Sequence, residues 1–132
     1  MKRAAGSFEV NVQPLSNAEV SSDAMLGRFL LTKQFSGDLS AEARGQMLSA
    51  GTPTKGSAGY VAIDQVTGVL DGRKGGFVLQ HTGTMNKGAP ALSISVVPDS
   101  GTGELVGISG TLSIHVDNKK HFYEFDYSLP ES

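Results

Sequence analysis

The feature that most constrains the fold of this chain is a two-residue alternation of apolar and polar side chains. It is clearest at 8–13, 92–96 and 112–116, where every second residue is apolar. Such alternation is typical of a β-strand with one buried and one exposed face. It predicts eight strands, which span 8–13, 27–36, 38–48, 58–70, 73–85, 92–96, 112–116 and 123–129.

Short turns separate most of these segments. The strongest hairpin signal is Asp71-Gly72, because this dipeptide adopts the tight turn that matches the twist of paired strands. Three further turns are marked by Gly37-Asp38, Asn86-Lys87-Gly88 and Asp117-Asn118. Residues 14–26 are polar and irregular and predict a long loop, and 98–106 predict a shorter turn segment.

The number of strands and the short turns together predict the architecture. Strands joined by short connections are antiparallel neighbours. Closing eight of them into a barrel removes both sheet edges and leaves an interior that side chains or one small ligand can fill. We therefore predict one all-β domain over 1–132, an eight-stranded antiparallel β-barrel with tight hairpin turns and little helix. A sandwich is the alternative, and a helix competes only at 38–48.

Composition excludes several classes of protein. The chain has 132 residues, a net charge of −2 and a pI of about 5.8, which disfavours a nucleic-acid binder that relies on phosphate contacts. It has no cysteine, so disulfides, thiolate metal sites and cysteine nucleophiles are excluded. Apolar runs are too short for a membrane helix, and no signal peptide is visible. We expect a bacterial cytoplasmic protein without a cofactor.

Polar residues on the inward faces of a barrel are the informative ones for function. His81 is the one ionisable residue on the predicted inner face of the fifth strand, where it either orients a ligand or is a hydrogen-bonded core histidine. Lys33 shares a face with apolar neighbours, so if that face is lumenal it needs a carboxylate, and Asp64 is the candidate. The alternative is a lysine that reaches out of the barrel end.

The fourth strand is apolar on both faces. Val61, Ile63 and Val69 lie on one face, and Tyr60 and its same-parity neighbours lie on the other. A barrel has one interior, so the second apolar face predicts a covering neighbour. We expect a homo-oligomer, either a dimer or a trimer.

Other polar residues are expected on the surface. Glu124 and Asp126 alternate with a buried aromatic stripe, which disfavours the carboxylate pair of a glycosidase. With His115 and His121 they show no recognised ligand spacing, so no metal site is predicted. The glycine-rich segment 100–110 lacks the context of a phosphate-binding loop, and a single capped turn explains it better.

Five segments resemble a known bacterial family of domains of unknown function. They are FSGDL (35–39), GSAGYVAIDQVTG (56–68), LDGRKGGFVLQHTGTM (70–85), VVPDSGTGELVGISG (96–110) and HFYEFDYSL (121–129). The resemblance implies an antiparallel barrel similar to that of plant allene oxide cyclase, lipocalin-like in shape, and no established activity. The family's QH pair falls on Gln80 and His81, and its acidic position falls on Asp64. The plant enzyme's Glu and Cys do not map onto this chain, so the cyclase reaction is an analogy of fold alone.

The sequence thus predicts a binding module that holds one small, mostly apolar molecule in the barrel lumen. One alternative is an isomerase or cyclase acting on a lipid-like substrate, and another is a structural protein with a filled lumen. The sequence identifies no catalytic residue and leaves open whether the protein is an enzyme. The candidate lumen residues are Phe29, Leu31, Lys33, Tyr60, Asp64, Phe77, Leu79, His81, Tyr123 and Tyr127.

Overall fold

A computed structural model describes residues 1–15 and 26–130 of the chain. The described residues form an all-β structure. Its nine strands are β1 (Lys2–Pro14), β2 (Leu26–Gly37), β3 (Leu39–Gly51), β4 (Ala58–Leu70), β5 (Arg73–Asn86), β6 (Ala89–Val96), β7 (Thr102–Gly103), β8 (Ser109–Asp117) and β9 (Lys120–Ser128).

The sheet closes on itself as the sequence predicts. Consecutive long strands pair antiparallel, β1 also pairs with β9, and β4 pairs with both β3 and β5. The result is an eight-stranded antiparallel barrel, to which the two-residue β7 is added beside the start of β5. Because neighbouring strands run up and down in turn, the β2–β3 and β4–β5 turns lie at one end of the barrel, and the β3–β4, β5–β6 and β8–β9 turns lie at the other.

Several strand boundaries differ from the sequence-based predictions. The first strand begins at Lys2 rather than near Phe8, since β1 pairs with β9 along Lys2–Phe8. The predicted turn segment 98–106 contains β7, which pairs with Gly75 and Gly76, and a turn follows it in which the Leu105 amide donates to the Thr102 carbonyl at 3.0 Å. Most of the predicted loop 14–26 lies at 16–25, outside the described residues. The segment 38–48 is a strand, as its alternation predicts.

Aromatic side chains fill one half of the barrel, which we call the closed half. Phe125 stacks between Phe77 and Tyr127, with ring centroids 5.4 Å apart in each pair. Tyr123 meets Phe35 edge to face at 5.4 Å. All five rings are almost completely buried, so this half contains a packed core rather than a free lumen.

Two hairpin turns help to close this end. In the β4–β5 turn Asp71 and Gly72 have φ values of 48° and 84°, the left-handed pair of a tight hairpin. The Tyr127 hydroxyl donates a hydrogen bond to the Asp71 carboxylate. In the β2–β3 turn the Leu39 amide donates to the Tyr123 hydroxyl at 2.9 Å. The closed end is therefore fixed by side chains from β9 bonded to the turns.

The opposite half of the barrel, which we call the open half, keeps the alternation but is not filled. Its inward-facing apolar residues are exposed near the strand ends: Met85 is 41 % exposed, Leu92 43 %, Val12 47 % and Val116 62 %. Lower on the same strands Leu79, Ile94, Phe8 and Leu112 are buried. The buried fraction of the inward side chains therefore decreases from the closed half to the open half, although the alternation of inward and outward positions is the same in both halves.

The wall of the open half is split between β6 and β8. These two strands pair only through Ser95 and Thr111, whereas β4 and β5 pair along their whole length from Ala58–Met85 to Leu70–Arg73. In the part of the chain that the structure describes, the backbone groups of residues 89–93 that face β8 therefore do not take part in pairing between β6 and β8. The β1–β9 ladder also stops short of the open end, because β1 pairs with β9 along Lys2–Phe8 only and runs on to Pro14.

Candidate functional site

Three ionisable side chains from three strands meet inside the barrel. Asp64 Oδ2 accepts a hydrogen bond from Lys33 Nζ at 2.7 Å, and it lies 2.8 Å from His81 Nε2. The side chains of Lys33, Asp64 and His81 are 11 %, 1 % and 5 % exposed. We call them the Lys–Asp–His cluster. The Lys33–Asp64 pair predicted from strand parity is present, and His81 joins it.

A glycine on the intervening strand makes room for this cluster. Lys33 lies on β2 and Asp64 on β4, so their side chains must meet across β3. Gly45 of β3 lies opposite Asp64 in the ladder, and a Cβ at this position would come within 2.4 Å of Asp64 Oδ1. The missing side chain lets the carboxylate lean over β3 towards Lys33.

The electrostatics of the cluster favour an ionised Asp64. Burial alone raises the pKa of a carboxyl, but the hydrogen bond from His81 and the charge of Lys33 outweigh it and hold the pKa of Asp64 below its ordinary value. An ionised Oδ2 accepts from both partners, so His81 donates through Nε2. Asp64 Oδ1 is buried and has no hydrogen-bond partner among the described residues.

A small pocket opens above the cluster, at the open end of β4, β5 and β6. It has a volume of about 210 Å³, and its lining includes Tyr60, Gly83, Met85, Pro90 and Leu92. We call it the mouth pocket. Tyr60 and Gly83 face each other in the ladder, as Ala62 and His81 do one inward step further down. Asp64 and His81 therefore lie below the pocket along β4 and β5, although neither residue lines it.

Tyr60 connects the pocket to the cluster. A Cβ at Gly83 would come within 2.3 Å of the Tyr60 ring, so this glycine provides the space that the ring occupies. Burial and the negative charge of Asp64 raise the pKa of Tyr60. Its hydroxyl is consequently neutral at pH 7 and can both donate and accept a hydrogen bond.

The structure separates the sequence-predicted residues into two groups. Lys33, Asp64 and His81 come together, with Tyr60 above them. Phe29 is half-buried and Leu31 is buried on the open-end side of Lys33 along β2. The remaining candidates lie in or next to the packed core: Phe77, Leu79, Tyr123 and Tyr127. Their role as ligand contacts stays a prediction, and the free space lies in the other half.

Two features of the site were missed in the sequence. Gly45 was not singled out, although a glycine at an apolar parity position of a strand signals a close approach of neighbouring groups. His121 was expected on the surface, and this was wrong: it is half-buried, with its ring 5.2 Å from that of Phe8. His121 has the same inward parity as the aromatic residues of β9. Because it is polar, the apolar pattern of the sequence did not include it.

The outer carboxylates do not form a site. Arg3 Nε donates to Asp126 Oδ1 at 2.7 Å, and Arg3 Nη1 lies 3.5 Å from Glu124 Oε2. These three partly exposed side chains form surface ion pairs on the outside of β1 and β9. Within 1–15 and 26–130 there is no cluster of three or more residues suited to hold a metal ion. No helix in these ranges is long and apolar enough to cross a membrane.

The molecule is thus an up-and-down β-barrel with a packed aromatic half, an ionic cluster at mid-height and an open apolar mouth. The chain belongs to the family described as "Protein of unknown function (DUF3224)", whose sequence model matches residues 4–127. The family resemblance inferred from the sequence motifs is thereby confirmed.

A solved structure shows the same fold. The crystal structure of a protein with unknown function from the DUF3224 family of Shewanella oneidensis MR-1 is 48% identical to this chain. It superposes with a TM-score of 0.93, and the match covers 100% of this chain and 99% of the Shewanella chain. A search of curated protein sequences gave no significant match. The comparisons therefore support the fold and the family, and the function has to be argued from the site.

Proposed function

We propose that this protein binds one small, mostly apolar molecule in the open half of the barrel, with the polar end of that molecule towards the Lys–Asp–His cluster. The observation that carries this proposal is the fall in burial along the inward face. Leu92 and Met85 point inward but are more than two-fifths exposed. An inward apolar surface that the chain itself does not cover favours an apolar ligand.

The mouth pocket limits the size of this ligand. Its volume of about 210 Å³ lies below the range of about 300–1,000 Å³ that is common for small-molecule sites. The lining is mostly apolar, and Tyr60 and Thr84 are its residues with a side-chain hydroxyl. A compact apolar molecule with one polar group fits this arrangement better than a large cofactor or a charged metabolite.

The cluster beneath the pocket supports a site rather than a purely structural core. Burying an ion pair costs more free energy than burying apolar side chains of similar size, and such pairs often add little stability. Titratable groups placed next to a cleft are therefore candidates for function. The Lys33 side chain is 11 % exposed, so the cluster is not completely sealed from solvent.

Native mass spectrometry of freshly purified protein tests the proposal. We expect a retained small molecule, and we expect Leu92→Trp to lose it by filling the mouth pocket. Val106→Trp is the matched control, because Val106 is strongly exposed in the segment at the closed end. Retention in Leu92→Trp, or absence of any ligand from all proteins even after addition of candidate apolar compounds, would contradict the proposal and favour the structural alternative.

An isomerase is the second candidate, and the Asp64–His81 contact is the observation that favours it. A carboxylate that orients an imidazole is a common arrangement for moving a proton. The test is incubation of the recovered ligand with the protein in heavy water. Deuterium incorporated by the wild-type protein and not by His81→Gln would support catalysis, and no incorporation would favour binding alone.

We further propose that two copies associate through the outer face of β3, β4 and β5. Leu48, Val61 and Ile63 are each about half-exposed on this face, and a groove of about 850 Å³ crosses it. The outward positions of β4 carry no charged residue from Gly59 to Val69. Arg28 and Arg44 also line this groove, so the uncharged part of the face is the row along β4. Because charges near a two-fold axis face their own copies, this row suits contact with an identical surface.

Light scattering on the purified protein tests this association. We expect a dimer mass at micromolar concentration and a monomer mass for Ile63→Glu, which would bring two carboxylates together at the contact. Val106→Glu introduces the same charge at the closed end and is the control. A monomeric wild-type protein would overturn the proposal.

We also propose the bacterial cytoplasm as the location. The absence of cysteine supports it weakly, since no disulfide requires an oxidising compartment. Fractionation of the native cells with an antibody to the protein would test this, and recovery in the periplasm would contradict it.

A further inference from the structure

We infer that the polar group of the bound molecule is a neutral hydroxyl, which both donates and accepts a hydrogen bond. This inference rests on the proposed function and specifies the chemistry of its ligand. It is carried by the unused hydrogen-bonding capacity of the Lys–Asp–His cluster and by the balance of its charges.

The cluster has both a hydrogen-bond donor and a hydrogen-bond acceptor that are not used. An ammonium has three N–H donors, and Lys33 uses one of them, towards Asp64 Oδ2. Both neighbours of the carboxylate bind the same oxygen, so Oδ1 is buried without a donor among the residues that the structure describes. A hydroxyl can accept from Lys33 and donate to the carboxylate, whereas a group of one kind serves only one of them.

The charges of the cluster favour a neutral group. The Lys33 ammonium and the Asp64 carboxylate cancel, and His81 needs only its Nε2 hydrogen to contact Asp64. A ligand carboxylate or ammonium would add an uncompensated charge to a site where the aspartate is 1 % exposed. Burying an unbalanced charge is far more costly than burying a hydrogen-bonded neutral group.

Tyr60 points to the same chemistry. Its hydroxyl forms no hydrogen bond with any described residue, and Tyr60 lines the mouth pocket one inward position above the Ala62–His81 pair. The phenol is itself a neutral donor and acceptor. It can therefore hold a ligand hydroxyl from the open side while the cluster contacts it from below.

Four probes of equal length test the inference on the wild-type protein: 1-octanol, 1-methoxyheptane, octanoate and octylamine. The ether accepts a hydrogen bond but cannot donate one, and the last two are charged at pH 7. Isothermal titration calorimetry should show 1-octanol binding about 10- to 100-fold tighter than each of the others, as expected for hydrogen bonds to charged groups. Equal or tighter binding of any of the other three would overturn the inference.

A double variant separates recognition of the polar group from burial of the chain. Lys33→Met with Asp64→Leu replaces the ion pair by apolar side chains of similar size, an exchange that buried pairs often tolerate. The variant should bind 1-octanol and 1-methoxyheptane equally, and circular dichroism would confirm the retained fold. A persistent preference for the alcohol would overturn the assignment to this cluster.

The outcomes distinguish the two proposals. If all four probes bind with similar affinity, the open half is a ligand site but the hydroxyl inference is wrong. If none of the four binds and no retained ligand is found, the proposed function itself fails, and the inference that rests on it fails as well.

Discussion

The closed and open halves of the barrel are built from the same strands with the same alternation, yet they differ in how far they are filled. In the closed half Phe77 and Phe125 stack and the Tyr127 hydroxyl binds the β4–β5 turn. In the open half inward residues such as Leu92 are exposed and β6 separates from β8. The difference shows that close packing is concentrated at one end of the barrel, and we expect most of the stability to come from that end.

The largest expected effect of a single change is the loss of a closed-half ring. Phe125→Ala should lower the free energy of unfolding by about 3–5 kcal/mol, because it removes a fully buried side chain and leaves a cavity between two rings. Leu92→Ala in the open half should cost less than about 1 kcal/mol, since much of that side chain is already in water. Urea denaturation measures both, and equal costs would refute the contrast between the halves.

At the boundary of the two halves, Asp64→Ala should lower the free energy of unfolding by about 3 kcal/mol. It leaves Lys33 as a mostly buried cation without its carboxylate partner. The double change Lys33→Met with Asp64→Leu should cost much less, because it removes both charges together. A double variant that is less stable than Asp64→Ala would show that the cluster itself holds the fold together.

The same pair predicts how stability depends on pH. The pKa of Asp64 is held below its ordinary value, so the ionised pair stabilises the fold above the ordinary carboxyl pKa of about 4. This contribution is lost as the pH falls through the folded-state pKa, below about 4. The free energy of unfolding should therefore fall more steeply between pH 6 and pH 2 for the wild-type protein than for the double variant. Parallel pH profiles of the two proteins would contradict this.

A smaller effect is expected at the closed end. Burial, together with the hydrogen bond to Asp71, raises the pKa of Tyr127 to about 12. Stability from this neutral hydroxyl is present below the ordinary tyrosine pKa of about 10 and is lost as the pH rises towards 12. Tyr127→Phe should cost about 1–2 kcal/mol at pH 7 and flatten the loss of stability between pH 10 and 12. An unchanged alkaline profile would argue against the contact.

The smallest expected effect concerns the split wall. Amides of 89–93 in β6 that face β8 should exchange with deuterium at least about tenfold faster than amides at the centre of β4, which is paired on both sides. Hydrogen exchange followed by NMR measures this difference. Similar protection in both places would show that the ladder between β6 and β8 is complete in solution.

Much of this fold could be predicted from the sequence because strand alternation is a local signal. The hairpins at Asp71-Gly72 and Asn86-Lys87-Gly88 and the strand at 39–51 follow from residues close together in the chain. The short β7 could not be predicted, because Thr102–Gly103 carries no alternation and pairs with Gly75–Gly76 far along the chain. The inward position of His121 was also missed, because a polar residue on an apolar face gives no local signal of burial.

The candidate site was predicted in its members but not in its arrangement. Strand parity assigned His81 to an inward face, since side-chain direction follows from position along a strand. It offered Lys33 and Asp64 as a pair only if their faces were lumenal, because β4 is apolar on both faces. Whether they meet depends on the register between β2 and β5 and on Gly45 between them, which leaves space for the carboxylate. The amino-acid sequence by itself determined the eight long strands, the tight turns between them and the inner and outer faces of the strands that alternate cleanly, because these depend on neighbouring residues. The tertiary structure alone decided which half is filled, where the wall splits and which oxygen of Asp64 lacks a partner, because these depend on distances between strands that are far apart in the chain.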